Sequence, residues 1–220
     1  MNIDITRQLG LITRSVAERE HEGKPARAVV ATRTYDTDLE DLWDAITNPE
    51  RLPRWFLPVT GELRLGGRYQ LQGNAGGLVS RCEKPHHLAV TWEFGGGVSW
   101  VDVRLTKDPS GGTRLELEHL AHVEAHWEKF GPGAVGVGWD LTLLGLGLYV
   151  TSGAADTAKA GMEWSMSEPG KAFMRGSSAA WGQAAIASGT DRAVAEASAA
   201  ATTAFYCGEV PTNCGEAPAS

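Results

Sequence analysis

The chain has 220 residues with a formal net charge of −7 and a pI near 5.4. That length suits one ordinary domain with extensions, or two small ones, and is ample for a buried core. An acidic balance argues against nucleic acid and anionic membrane as partners, because both reward a basic surface.

The first twenty residues, MNIDITRQLGLITRSVAERE, carry charge throughout and read as neither a signal nor a transit peptide. Within them Ile5, Leu9, Ile12 and Val16 recur at helical spacing, which predicts an amphipathic helix over 4–20 in an N-terminal element spanning 1–25. HEGKP ends it, and the β-branched ARAVVATRTY (26–35) reads as a strand. In DTDLEDLWDAITNPERLPRWF, a cap-like Asp or Thr precedes Leu39, Leu42, Trp43 and Ile46 on one helical face, and Asn48-Pro49 stops that helix before a second short turn.

Short strands then follow one another between turn signals. GELRLGG turns through Gly66-Gly67 into RYQLQGN, and GLVSRCE, PHHLAVTWEF, GGGVSWVDVRLTKD and TRLELEHL continue the series. The order β–αα–β6–α is a meander, not an alternation of β and α units.

The last of these helices opens with a phosphate-binding look. GPGAVG (131–136) satisfies G-x-G-x-x-G, yet the charged HVEAHWEKF precedes it where a buried parallel strand is required, and no second parallel strand follows. The glycines read as a sharp turn into a helix over 136 to about 158, and no nucleotide or other cofactor is expected.

After about residue 152 the composition turns to Ala, Ser and Gly. Two helices are predicted, EPGKAFMRGSSAAWGQAAIASG and TDRAVAEASAAATTAFY, docked through Phe173, Trp181, Ile186, Val194, Phe205 and Tyr206. The domain reading is therefore an N-terminal element (1–25), a main domain (26–158), a helical extension (159–207) and a disordered tail (208–220). Cys82, Cys207 and Cys214 form no C-x-x-C pair, and a cytoplasmic location favours free thiols over a Cys207–Cys214 bridge. The longest apolar run, Leu141 to Val150, is about half the length needed to cross a bilayer, so no membrane insertion is expected.

Three stretches carry a family resemblance: RTYDTDLEDLWDAITNPERLPRWFLPVTGELRLGGRYQLQGNAGG, HHLAVTWEFGGGVSWVDVRL and TRLELEHLA. Over roughly residues 26–150 the chain resembles the SRPBCC superfamily, the START/birch-pollen-allergen-like helix-grip proteins. It is most similar to the bacterial branch named after the activator of the heat-shock-protein-90 ATPase, often called polyketide cyclase or START-like. The resemblance implies an α+β helix-grip fold: a curved antiparallel sheet wrapped on a long helix, here with an N-terminal helix and a C-terminal helical extension like that of actinobacterial relatives. It also implies an apolar cavity between sheet and helix for a hydrophobic or amphipathic small molecule. Fold alone does not fix the function of such a cavity.

Eight tryptophans are many for this length, and aromatic walls with a few polar groups suit a small-molecule site as well as a core. Strand alternation sets Leu88, Val90, Trp92 and Phe94 on one face, Leu115, Leu117 and His119 on another, and Trp100, Asp102 and Arg104 opposite Val101 and Val103. Trp55, Phe56, Tyr69, Trp92, Trp100, His119, Trp139 and Leu143 are the candidate ligand-binding residues.

His119, His122 and His126 lie beside Glu118, Glu124 and Glu128, but the strand end at His119 breaks the geometry a metal needs, so no metal is expected. His119 is read as the polar group facing the cavity, with His122 and His126 near its mouth or in solvent. No nucleophile elbow is present, and Cys82, near His86 and His87, is read as a buried, inert thiol.

Three functions follow, in order. The first is a cytoplasmic binder of a hydrophobic small molecule, with the terminal helices as a lid or as a homodimer surface. The second is a cyclase- or aromatase-like acid–base enzyme using His119 with Glu93 or Asp102. The third is a module that contacts a chaperone or regulator. An ionisable pair in the pocket favours the enzyme, and an all-apolar pocket favours carriage or sensing.

Overall fold

A computed structural model describes residues 3–153 and 156–209. The short helix α1 (Ile5–Gly10) leads into β1 (Thr13–His21) and β2 (Lys24–Tyr35). Then come α2 (Leu39–Thr47), a 3-10 turn at Leu52–Arg54, and β3 (Val59–Gly61), β4 (Arg68–Leu71) and β5 (Gly76–Glu83). The sheet continues with β6 (His87–Phe94), β7 (Gly97–Lys107) and β8 (Thr113–His122). The chain ends in α3 (Ala125–Phe130), α4 (Gly133–Ser152), α5 (Ala158–Ser165), α6 (Glu168–Ala187) and α7 (Arg192–Cys207).

One eight-stranded antiparallel sheet runs β1-β2-β8-β7-β6-β5-β4-β3. Val29, Ala31, Val101, Val103, Leu115 and Leu117 are buried on its inner face, where α4 lies as the gripped helix. This is the α+β helix-grip architecture. α4 has 20 residues and is long and apolar enough to cross a membrane, yet more than half of it is buried within the protein. Being apolar on all sides is what a helix covered on all sides requires.

The N-terminal segment departs from expectation. The helix predicted over 4–20 is one short turn of helix followed by an edge strand. Glu22 (φ 52°) and Gly23 (φ 73°) form the two-residue turn that pairs His21 with Lys24, the left-handed geometry of a tight hairpin. HEGKP is therefore a hairpin turn, not a helix stop. The period of two was hidden because an inward position of β1, between Ile12 and Val16, is occupied by Arg14, opposite Ala31.

α4 starts three residues earlier than predicted and ends six earlier. Both predicted C-terminal helices form: Ser167 caps α6 and Asp191 caps α7. Phe173 and Trp181 are buried as expected, whereas Val194 and Phe205 are exposed, Phe205 with its ring against Phe130 of α3. Trp181 and Cys207 share one core cluster with residues of the sheet and α4. α6 packs on α4 and on β1. Of the tail predicted over 208–220, residues 210–220, and Cys214 with them, lie outside the described residues.

Candidate functional site

An apolar cavity of about 170 Å³ lies between the inner face of the sheet, the α2–Arg54 segment and one side of α4. Trp55, Phe56, Tyr69, Trp92, Trp139 and Leu143 all line it. Trp55 stacks on Phe56 with ring centroids 5.5 Å apart, and Trp92 tilts against Trp139 at 5.1 Å. The cavity reaches the surface beside Leu63 and Cys82, both exposed. Cys82 is thus not the buried thiol expected. A β-bulge between Val79 and Arg81 shifts the register, pairing Cys82 with Leu88 at the rim. His87, the nearby imidazole, bonds Asp102 through Nε2 at 2.7 Å.

Most of the polar side-chain atoms of the wall, those of Trp55, Tyr69, Trp139, Thr47 and Thr142, are engaged with the protein itself. Trp55 Nε1 donates to the Ala45 carbonyl (2.9 Å), the Tyr69 hydroxyl to the Thr91 carbonyl (2.8 Å) and Trp139 Nε1 to His119 Nδ1 (2.8 Å). The Thr47 and Thr142 hydroxyls donate to the carbonyls of Trp43 and Gly138, one helical turn back. The wall includes no Asp, Glu, Lys, Arg or His among the described residues. Burial pushes the Tyr69 hydroxyl pKa up, and Glu93 pushes it the same way, so the group stays neutral.

His119 sits behind the wall instead of facing the cavity. It is 3% exposed. An indole nitrogen only donates, so Nδ1 must accept from Trp139, leaving the proton on Nε2 for Ser99 Oγ at 2.8 Å. Ser99 in turn donates to the Trp92 carbonyl at 3.2 Å. Both ring nitrogens are satisfied, and burial lowers the pKa to about 4, so the ring is neutral at neutral pH. What His119 does is fix the orientation of Trp139 beside Trp92.

Trp100 is also outside the cavity. Its neighbour Val101 pairs with His119 on the inner face, so Trp100 points outward. There it packs on His21 (3.9 Å between centroids) and on His122 (5.2 Å). Of the two histidines expected near the mouth or in solvent, His122 is half-buried on the outer face, and His126 in α3 is exposed and packs on Phe130.

Glu93 and Asp102 face outward as well. Glu93 pairs with Arg68, and Asp102 with His87 and Arg104. The structure does not bring His119, Glu93 and Asp102 together, because alternation puts the two carboxylates on the opposite side of the sheet. Sequence reasoning missed Ser99, whose inward position follows from its pairing with Trp92. It also missed the aliphatic walls Val79, Val101, Val103 and Leu146.

Comparison with known proteins agrees with this fold. The crystal structure of CalU16 from Micromonospora echinospora is similar at 31% identity and a TM-score of 0.65, covering 80% of this chain and 98% of that one. Its solution NMR structure gives 32% identity and a TM-score of 0.66, with 80% and 96% covered. The fold alone is shared with DynU16, a putative protein in the dynemicin biosynthetic locus, at 19% identity and a TM-score of 0.53, covering 58% of this chain and 48% of that one. No curated protein matches. The family model described as activator of Hsp90 ATPase homolog 1-like protein matches residues 36–151, and the chain belongs to that family.

Proposed function

We propose that this protein binds an uncharged, aromatic or otherwise hydrophobic small molecule in the cavity, as a cytoplasmic carrier or sensor. The observation that carries this reading is the state of the wall: it holds no charged side chain among the described residues, and Trp55, Tyr69 and Trp139 turn only apolar ring surface to the ligand because their polar atoms are already bonded inward. A charged group brought into such a space loses its hydration with nothing in return, a penalty of several kcal/mol. A neutral ring gains roughly 25 cal/mol for each Å² of apolar surface removed from water. The volume of about 170 Å³ is close to that of an engineered apolar cavity of about 150 Å³ that stays dry and takes up benzene. It suits one ring system, with the rest of a larger amphipathic ligand left at the mouth.

A cyclase-type function is within the range of the family, but the wall argues against acid–base turnover inside this cavity. General acid–base work needs a titratable group within hydrogen-bonding reach of the reacting atom. His119 is bonded at both nitrogens, and Glu93 and Asp102 lie across the sheet. An open cavity also supports ligand binding over a purely surface-mediated chaperone contact.

Native mass spectrometry of protein purified from its own cells tests the reading. The expected result is an added mass, absent after denaturation, that belongs to a neutral apolar compound. Recovery of an organic acid or a phosphorylated metabolite held in the cavity contradicts it.

A further inference from the structure

On the side of α4 away from the cavity, the interior holds two arginines and one carboxylate. Arg14 on β1 and Asp140 on α4 form a matched pair: Nε to Oδ2 is 2.8 Å, and Asp140 is fully buried. Arg33 on β2 is left over. It points to the same inner face as Arg14, whose direct partner on β2 is Ala31, two residues away. Arg33 is 6% exposed, and Nη2 donates to the neutral Gln8 side chain of α1 at 2.9 Å. Its Nε and Nη1 are buried without a hydrogen-bond partner among the described residues.

Among the described residues, the neighbouring elements supply no balancing charge. From β2, Tyr35 offers its ring face at 5.2 Å, while its hydroxyl donates to the Leu143 carbonyl and is held neutral by burial. From α4, the group against the guanidinium is Gly147, where a methyl would lie 2.4 Å from Nη2. From β1, Arg14 adds a like charge, and Asp140 already answers it. Water could satisfy the two N–H groups but could not neutralise the cation. An apolar side chain would avoid the cost of burial altogether. Instead the helix accepts a glycine, roughly 1 kcal/mol worse than alanine, at the place where the guanidinium lies.

We propose that Arg33 is the base of a binding site for one small monovalent anion, of chloride or formate size, held beneath α1 between β2 and α4. One unbalanced positive charge fixes the valence, and the burial under α1 limits the size. The unpartnered Nε and Nη1 are the donors that receive the anion. This site is separate from the cavity and does not depend on its ligand.

The test is thermal unfolding of the full chain in sodium chloride, sodium formate and sodium gluconate at equal ionic strength. A ligand that binds only the folded state raises Tm in proportion to its occupancy, and a rise of about 2–4 °C over gluconate is expected with chloride or formate. The larger of the two shifts identifies the better occupant. In Arg33→Met the difference between salts disappears. Equal Tm values in all three salts, or an unchanged difference in Arg33→Met, overturns the proposal. If Arg33→Met does not fold, the chlorine NMR line of dilute chloride decides with the wild-type protein. Broadening that formate reverses supports the site, and a line unaffected by the protein overturns it.

Discussion

The indole of Trp181 lies directly over Gly136: a methyl built on that glycine would stand 2.4 Å from ring atom Cε2. GPGAVG is thus the seam between α3 and α4 and the seat of the helical extension, with no role in phosphate binding implied. Gly136→Ala is expected to push α6 off α4 and to destabilise by about 1–3 kcal/mol, the usual range for overpacking a core. Gly161→Ala, in α5 with open space around it, should instead stabilise by up to about 1 kcal/mol through helix propensity. Urea denaturation of the two variants beside the wild type measures both.

Asp140 ties the extension to the sheet. Its Oδ2 accepts from Arg14 on β1 and from Ser177 and Trp181 on α6. Burial raises its pKa, against the opposing pull of Arg14 and the two α6 donors. Asp140→Asn leaves Arg14 as an uncompensated buried cation, and a loss of about 3–5 kcal/mol is expected. The double variant Arg14→Met/Asp140→Leu should lose much less than the sum of the singles, because it removes both charges at once. Denaturation of the four members of this cycle gives the coupling directly.

His119 makes stability depend on pH with a definite sign. Its pKa in the folded state is about 4, lowered by burial, against about 6.5 in an unfolded chain. Between those values the unfolded state binds the extra proton, so its contribution is complete above pH 6.5 and is lost as pH falls toward 4. The slope approaches about 1.4 kcal/mol per pH unit. His119→Gln should lack this component, and the difference between the two stability profiles over pH 4–7 isolates it. Parallel profiles would show that His119 is protonated in the folded protein.

The cavity itself can be closed from within. Val90 lines it on the inner face of β6, and Val90→Phe adds a ring where a ligand's ring would lie. The variant should fold with little change in stability, because the added volume falls in open space, and should lose most of the affinity for an apolar ligand. Isothermal titration with naphthalene, alongside urea denaturation, checks both halves of this expectation.

Much of the fold was legible because its signals are local. The Gly turns, the caps at α6 and α7, and the alternation of Val101, Val103, Leu115 and Leu117 report the sheet and helices residue by residue. The edge strand β1 was not legible. Ile5, Leu9, Ile12 and Val16 match a helical period by chance, and Arg14 breaks the strand period because its partner, Asp140, is 126 residues away in sequence. The aromatic side of the site was readable for the same reason as the sheet, since alternation placed Trp92 inward. Applied strictly, alternation also sends Trp100 outward with Asp102. His119 was assigned the right face but the wrong role, because the indole and hydroxyl that occupy its nitrogens come from separate elements, α4 and β7.

The most direct measurement is the affinity of the wild-type protein for naphthalene against that for 2-naphthoate, two ligands with one ring system and a single difference in charge. The wall geometry predicts binding of naphthalene, with 2-naphthoate weaker by at least about a hundredfold, the ratio set by a few kcal/mol of uncompensated desolvation. Equal or tighter binding of the carboxylate in the cavity would mean that a polar group of the wall is free to receive it, and the account of the cavity as a neutral-ligand site would be wrong.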